Sequence, residues 1–238
     1  MPQSDVVLLG EVHDNAAHHT HQVRAVKAIQ PAAIVFEMLT PEQAEVANDL
    51  VGAAAGELAE ALNWADTGWP DFNMYYPIFT TSSARIYGGA LPRQNVRRAI
   101  SEGAAALFGD GAERYGLTTP LPEDQRETRE AAQMTAHCDA LPPEMLPGMV
   151  EAQRLRDAAI AQAVVEAFQA TGGPVVVITG NGHARSDWGV PHNLRVAAPD
   201  LTLLSIGQFE ETPDPGEPFD LWLVTDPTER EDPCAAFQ

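Results

Sequence analysis

Asp5-Val6-Val7-Leu8-Leu9-Gly10-Glu11-Val12-His13-Asp14 is an apolar run that meets a glycine and then turns polar. The run over Asp5–Gly10 is too short for a helix and lacks alternation, so it reads as a strand of a parallel sheet buried on both faces. Working outward, Asp14 is the expected N-cap of a helix to about Ile29, with Val23, Val26 and Ile29 on one face. Ala32–Glu37 is a second apolar run. Thr40-Pro41-Glu42-Gln43 then supplies an N-cap, a Pro at the first helical position and a capping-box Gln. That helix is expected to reach about Leu50, with another over Glu57–Trp64. Later strands are expected over residues 84–88, Pro174–Thr179, Leu201–Ile206 and Phe219–Thr225. Helices are expected over Arg93–Glu102, Glu123–Ala140 and Pro143–Thr171. The alternation implies an α/β fold: a mostly parallel sheet flanked by helices. At 238 residues the chain reads as one domain, with a large helical insert over about 40–165 forming a cap. The tail from Asp226 to Gln238 is expected to fray.

Ligands of open parallel sheets sit beyond the carboxyl ends of the strands. Three strands here end in residues of catalytic type: Glu11 with His13, Glu37, and Gly180-Asn181-Gly182-His183-Ala184-Arg185. If these strands are neighbours, Glu11, His13, Glu37 and His183 converge on one rim. Two carboxylates and two imidazoles suit a general acid–base pair, or a divalent metal held by Glu11, His13 and His183. Gly180 and Gly182 are expected to take positive φ and aim His183 over the rim. Arg185 is expected to pair with Glu11 or Glu37, or to hold an anionic ligand. His18, His19 and His21 follow on the first helix; they read as a polar helix face rather than a metal cluster.

Charge excludes whole classes of partner. With 14 basic and 34 acidic residues the net charge is −20, the opposite of the basic stripe that nucleic-acid binding needs. Docking on anionic lipid is disfavoured for the same reason. No apolar stretch approaches the ~20 residues that span a bilayer, and the first run lacks the basic flank of a secretory signal. Read alone, the chain is cytoplasmic if it is the complete product. Cys138 and Cys234 form no metal motif and are free to pair.

Trp64–Phe79 is rich in aromatics and includes Tyr75 and Tyr76. A tyrosine phenolate is a known axial ligand of haem iron. Aromatic walls would bury a porphyrin, and Arg93, Arg97 or Arg98 would pair with its propionates. From composition alone these aromatics read simply as cover for the sheet.

The assembled motifs resemble the ChaN family of haem-binding, iron-regulated bacterial proteins. The resemblance runs from about residue 6 to 206. It rests on Leu9 to Asn15, His18-His19, Gln22, Phe36 to Leu39, Trp69-Pro70, Tyr75 with Pro77-Ile78, Leu91-Pro92-Arg93, Ala152-Gln153 with Asp157, Gly180 to Arg185, and Gly189-Val190-Pro191. Ala90 departs from the family, which often has Asn there. The resemblance implies haem held by a tyrosine, best matched by Tyr75 with Tyr76 beside it, and haems stacked face to face in a homodimer. It also implies a periplasmic or membrane-anchored location. The wider superfamily includes erythromycin esterases and the Tiki/TraB proteins. It implies the alternative of an esterase-like hydrolase using Glu11, His13 and His183. A binding module without chemistry is the third class weighed.

Overall fold

The computed structural model describes residues 4–232 and 234–235. Part of the expected frayed tail, residues 233 and 236–238, lies outside them. The first apolar run folds as β1 (Val6–Glu11), every residue buried. It leads to α1 (Ala16–Ile29), capped by Asn15 rather than by Asp14. The Asn15 side chain accepts from the N–H groups of Ala17 and His18 at 2.9 and 3.4 Å, filling two of the helix's open donors. β2 (Ala33–Phe36) follows, then α2 (Pro41–Asp49), where Thr40 and Gln43 complete the capping box. α3 (Ala55–Ala61) ends before a single 3₁₀ turn at Trp64–Asp66. The second half of the aromatic stretch forms α4 (Phe72–Thr80). Its cap is Asp71, which accepts from Asn73 N–H at 3.0 Å. Pro77 lies inside this helix, which blurs its sequence signature. β3 (Arg85–Gly88) comes next.

The chain then forms α5 (Arg93–Glu102), α6 (Ala104–Phe108), α7 (Glu123–Ala136) and the long α8 (Leu146–Thr171). It returns through β4 (Val175–Gly180), the short α9 (Asn181–Ala184), α10 (Val190–Ala197), β5 (Leu203–Phe209) and β6 (Leu221–Val224). The six strands form one sheet in the order β3-β2-β4-β1-β5-β6. Every adjacent pair is parallel. The fold is therefore α/β, with helices flanking an all-parallel sheet. Val7, Leu9, Ile34, Phe36, Val176, Ile178 and Ile206 line one core, joined by Phe72, Tyr75 and Ile78 of α4.

The described chain divides into two compact units. The first contains the sheet and comprises residues up to Ala90 and Ile160–Thr228. The second comprises Leu91–Ala159 and the segment from Glu229. β3 and the helices before it belong to the first unit. Inside the second unit, Cys138 is disulfide-bonded to Cys234 across 96 residues. Arg154 there donates to Glu151 at 2.7 Å and to the Thr119 carbonyl at 2.9 Å. Among the described residues no helix is long and apolar enough to cross a membrane.

Candidate functional site

The strand order sets β1 against β4, and β4 against β2, so three carboxyl ends meet. Glu11 closes β1, Glu37 follows β2, and Gly180 closes β4 with His183 one turn into α9. The registers Glu11↔Gly180 and Phe36↔Ile178 fix their relative heights. The four residues expected to converge do so, as two carboxylate–imidazole pairs.

Glu11 is the hub of the first pair and is buried. Its Oε1 accepts from the Tyr75 hydroxyl at 2.8 Å and lies 2.7 Å from His13 Nδ1. Its Oε2 accepts from Gln22 Nε2 at 2.6 Å. A carboxylate removed from water needs such donors, and Glu11 has three. The His13 side chain keeps 33% exposure, and its ring lies edge-on to Trp69 at 4.8 Å. With Nδ1 on Glu11, the His13 Nε2 turns toward Gly180: a Cβ built there would fall only 2.9 Å from it. Burial lowers the His13 pKa, but the Glu11 hydrogen bond and the charges of Glu37 and Glu11 outweigh it, so the net shift is upward.

Glu37 anchors the second pair. Its Oε2 accepts from Thr179 Oγ1 at 2.6 Å and from Gly180 N–H at 2.8 Å, while Oε1 faces His183 Nε2 at 3.4 Å. Gly180 has φ −63°, and neither it nor Gly182 is among the positive-φ glycines. The expected left-handed turn is absent; a short helix aims His183 instead. Gly180 matters because it lacks a Cβ, not because of its backbone angle.

Helix α1 turns His18, His19 and Gln22 inward, where all three are buried. His18 Nδ1 accepts from Val12 N–H at 2.9 Å, so Nε2 carries the proton and donates to Thr225 Oγ1 at 3.0 Å. Burial pulls the His18 pKa below its ordinary value more than Glu210 and Glu11 raise it. His19 Nε2 donates to the His13 carbonyl at 2.8 Å. Its Nδ1 stands 3.6 Å from Glu11 Oε2, too far for a hydrogen bond. The i, i+4 spacing of His18 and Gln22 was the available signal, and it marks an inward face.

Tyr75 is wholly buried between His19 and Trp64, ring centroids 4.3 and 5.1 Å away. Burial, then the charge and hydrogen bond of Glu11, push its phenol well above the usual range, so the side chain is neutral. Tyr76 points elsewhere, donating to the Ala53 carbonyl at 2.9 Å.

Two expectations are corrected. Arg185 does not pair with Glu11 or Glu37. Its guanidinium lies 2.9 Å from Asp187 and 3.7 Å from Glu217, and stacks on Trp188 at 3.9 Å. Nearby carboxylates and an aromatic face hold it at the C-terminal end of α9. Among the described residues no group of three or more His, Cys, Asp or Glu is arranged to hold a metal ion. The metal set of Glu11, His13 and His183 is thus not assembled: Glu11 and His13 spend their facing atoms on each other, and His183 faces Glu37.

This is an all-parallel α/β protein with a buried Glu–His–Tyr network at the carboxyl end of its sheet. Residues 1–194 match the family model described as haem-binding uptake, Tiki superfamily, ChaN, and the chain belongs to that family. Among solved structures it resembles ChaN of Campylobacter jejuni, described as binding haem cofacially. Identity is 21% and the TM-score 0.69, with 91% of this chain and 86% of that one covered. It also resembles the type III effector HopBA1 at 11% identity and a TM-score of 0.53, covering 94% of this chain and 88% of that one. At such identities the likeness is one of fold. No curated protein matches the chain.

Proposed function

We propose that this chain binds haem and serves bacterial haem or iron uptake, as a homodimer. The observation that carries the reading is membership of the haem-binding uptake family over residues 1–194. An open groove of about 590 Å³ runs along Trp64, Trp69, Pro70 and Phe72, within the size range of cofactor sites. The Tyr75 hydroxyl does not fit an iron ligand as it stands, because it is buried and committed to Glu11. Ligation through Tyr75 requires that bond to be given up; Tyr76 would have to leave Ala53. The test is a haemin titration followed at the Soret band, with the mass in solution measured before and after. Saturable binding with a shifted Soret band is expected, weakened in Tyr75→Phe if that phenolate is the ligand. Titration without a saturable spectral change would sink the proposal.

The Glu11–His13 pair favours a second reading, an esterase-like hydrolase. A carboxylate on Nδ1 orients an imidazole and leaves Nε2 to accept a proton from water or a hydroxyl. Glu37 and His183 face the same rim. Ester turnover lost in His13→Gln with the fold retained would support it; no turnover by the parent across acyl and phosphate esters would remove it.

A further inference from the structure

The two edges of the sheet are treated differently. On β3, the Asn48 amide from α2 stands in for a neighbouring strand: its Nδ2 donates to the Ile86 carbonyl and its Oδ1 accepts from Ile86 N–H, both at 2.9 Å. Arg85 on that edge is paired with Glu45 at 2.7 Å. β6 has no such guard. Among the described residues no side chain hydrogen-bonds to its backbone. Leu221, Trp222, Leu223 and Val224 are all apolar and each 44–49% exposed. Edge strands of stable proteins normally carry charge, Pro or a cover at this position. Beside β6 lies a cleft of about 230 Å³ whose apolar lining is Leu9, Ala25, Ile206 and Leu223, with Arg24 and Gln208 also in its wall, large enough for one bulky side chain.

We infer that β6 is the docking edge for an extended segment of another protein, one with alternating apolar side chains and Lys or Arg at its flanks. Main-chain hydrogen bonds would extend the sheet, and one side chain of the segment would enter the cleft. Charge selects the partner. Asp220 and Asp226 bracket the strand, and the whole chain carries −20. A second copy would bring the same carboxylates together, whereas a cationic segment neutralises them. Four strand residues also expose too little surface for a stable dimer on their own, but they suffice for strand addition backed by a side-chain pocket.

The probe is a fluorescein-labelled peptide, Lys-Lys-Val-Ile-Val-Thr-Lys-Lys, followed by fluorescence anisotropy at physiological salt. Three comparisons separate strand addition from mere attraction of opposite charges. A Gly-Ser centre with the same Lys flanks should bind at least about tenfold more weakly, as should a version N-methylated at alternate residues and one flanked by Glu. Leu223→Asp in the protein should weaken the first peptide by a similar factor, while Val51→Asp, at another exposed apolar residue, should not. Circular dichroism confirms that both variants keep the fold. Equal binding of the Gly-Ser or N-methylated peptide, or no effect of Leu223→Asp, overturns the inference. A dimer that Leu223→Asp dissociates overturns it in favour of a second copy.

Discussion

The Tyr75 hydroxyl donates to Glu11 Oε1 at 2.8 Å, joining helix α4 to the end of β1 across 64 residues of sequence. The bond satisfies a buried carboxylate and seats the aromatic helix against the sheet. Tyr75→Phe keeps the ring packing and deletes the donor. Glu11 retains two other donors, so the expected loss is about 1–2 kcal/mol rather than the full cost of an orphaned charge. Urea unfolding at neutral pH checks it; an unchanged midpoint would mean the bond contributes nothing.

The same phenol gives a pH dependence with a fixed sign. Its pKa in the folded protein is raised above the ordinary value of 10.0, chiefly by burial. Its contribution is fully present below that value. Above it the unfolded chain ionises while the native phenol does not, so stability falls as pH rises. Tyr75→Phe should flatten the decline between about pH 10 and 11. Unfolding midpoints across that interval read the difference, and equal slopes in parent and variant would contradict the assignment.

His13 and His18 should move stability in opposite directions around their shared ordinary value of 6.5. His13 is raised in the native state, so its contribution is complete below 6.5 and is lost as pH rises through the folded pKa. His18 is lowered, so its contribution is complete above 6.5 and is lost as pH falls through the folded pKa. In the parent the two partly cancel. His13→Gln should leave a protein that loses stability more steeply on acidification, and His18→Gln one that loses it less steeply. Midpoints at pH 5 and 8 for the two variants decide; parallel shifts would refute the pairing of signs.

Much of this site was legible because each buried strand announces itself as an apolar run and stops at a polar residue. Glu11, Glu37 and the Gly180–His183 segment needed only the parallel order to be brought together. What escaped was the direction of individual side chains. Asn15 displaced Asp14 as the cap because its amide also reaches Glu210 and the Asp226 carbonyl, residues remote in sequence. Helix α4 was hidden by Pro77 and by a composition that hides its 3.6-residue period. Arg185 was assigned to the rim by proximity in sequence, but Asp187, Glu217 and Trp188 are nearer in space. Nothing local in the sequence shows that the Tyr75 hydroxyl ends on Glu11.

Gly180→Ala tests the geometry of the rim directly. The new methyl group would lie 2.9 Å from His13 Nε2 and 3.1 Å from Cε1, so the ring must move. The backbone at φ −63° accepts alanine without strain. The fold should persist while the Glu11–His13 bond is lengthened. The His13 pKa should then fall back toward its ordinary value, as the largest influence raising it is that bond. Imidazole NMR titration of parent and variant reads the change, and an identical titration curve would show that the site has slack the distances do not suggest.

The disulfide offers a test confined to the second unit. Cys138 and Cys234 enclose a span of 96 residues, and closing so long a loop removes much freedom from the unfolded chain. The chain-entropy estimate for such a loop is about 4–5 kcal/mol, an upper figure. All four tryptophans, Trp64, Trp69, Trp188 and Trp222, lie in the first unit, whereas Tyr115 lies in the second. Reduction, or Cys138→Ser, should therefore speed proteolytic cleavage within Leu91–Ala159 while tryptophan emission at 25 °C stays as in the oxidised protein. A cleavage rate indifferent to reductant would show that the second unit holds together without the bond. A shifted tryptophan spectrum would show that the sheet unit depends on it as well.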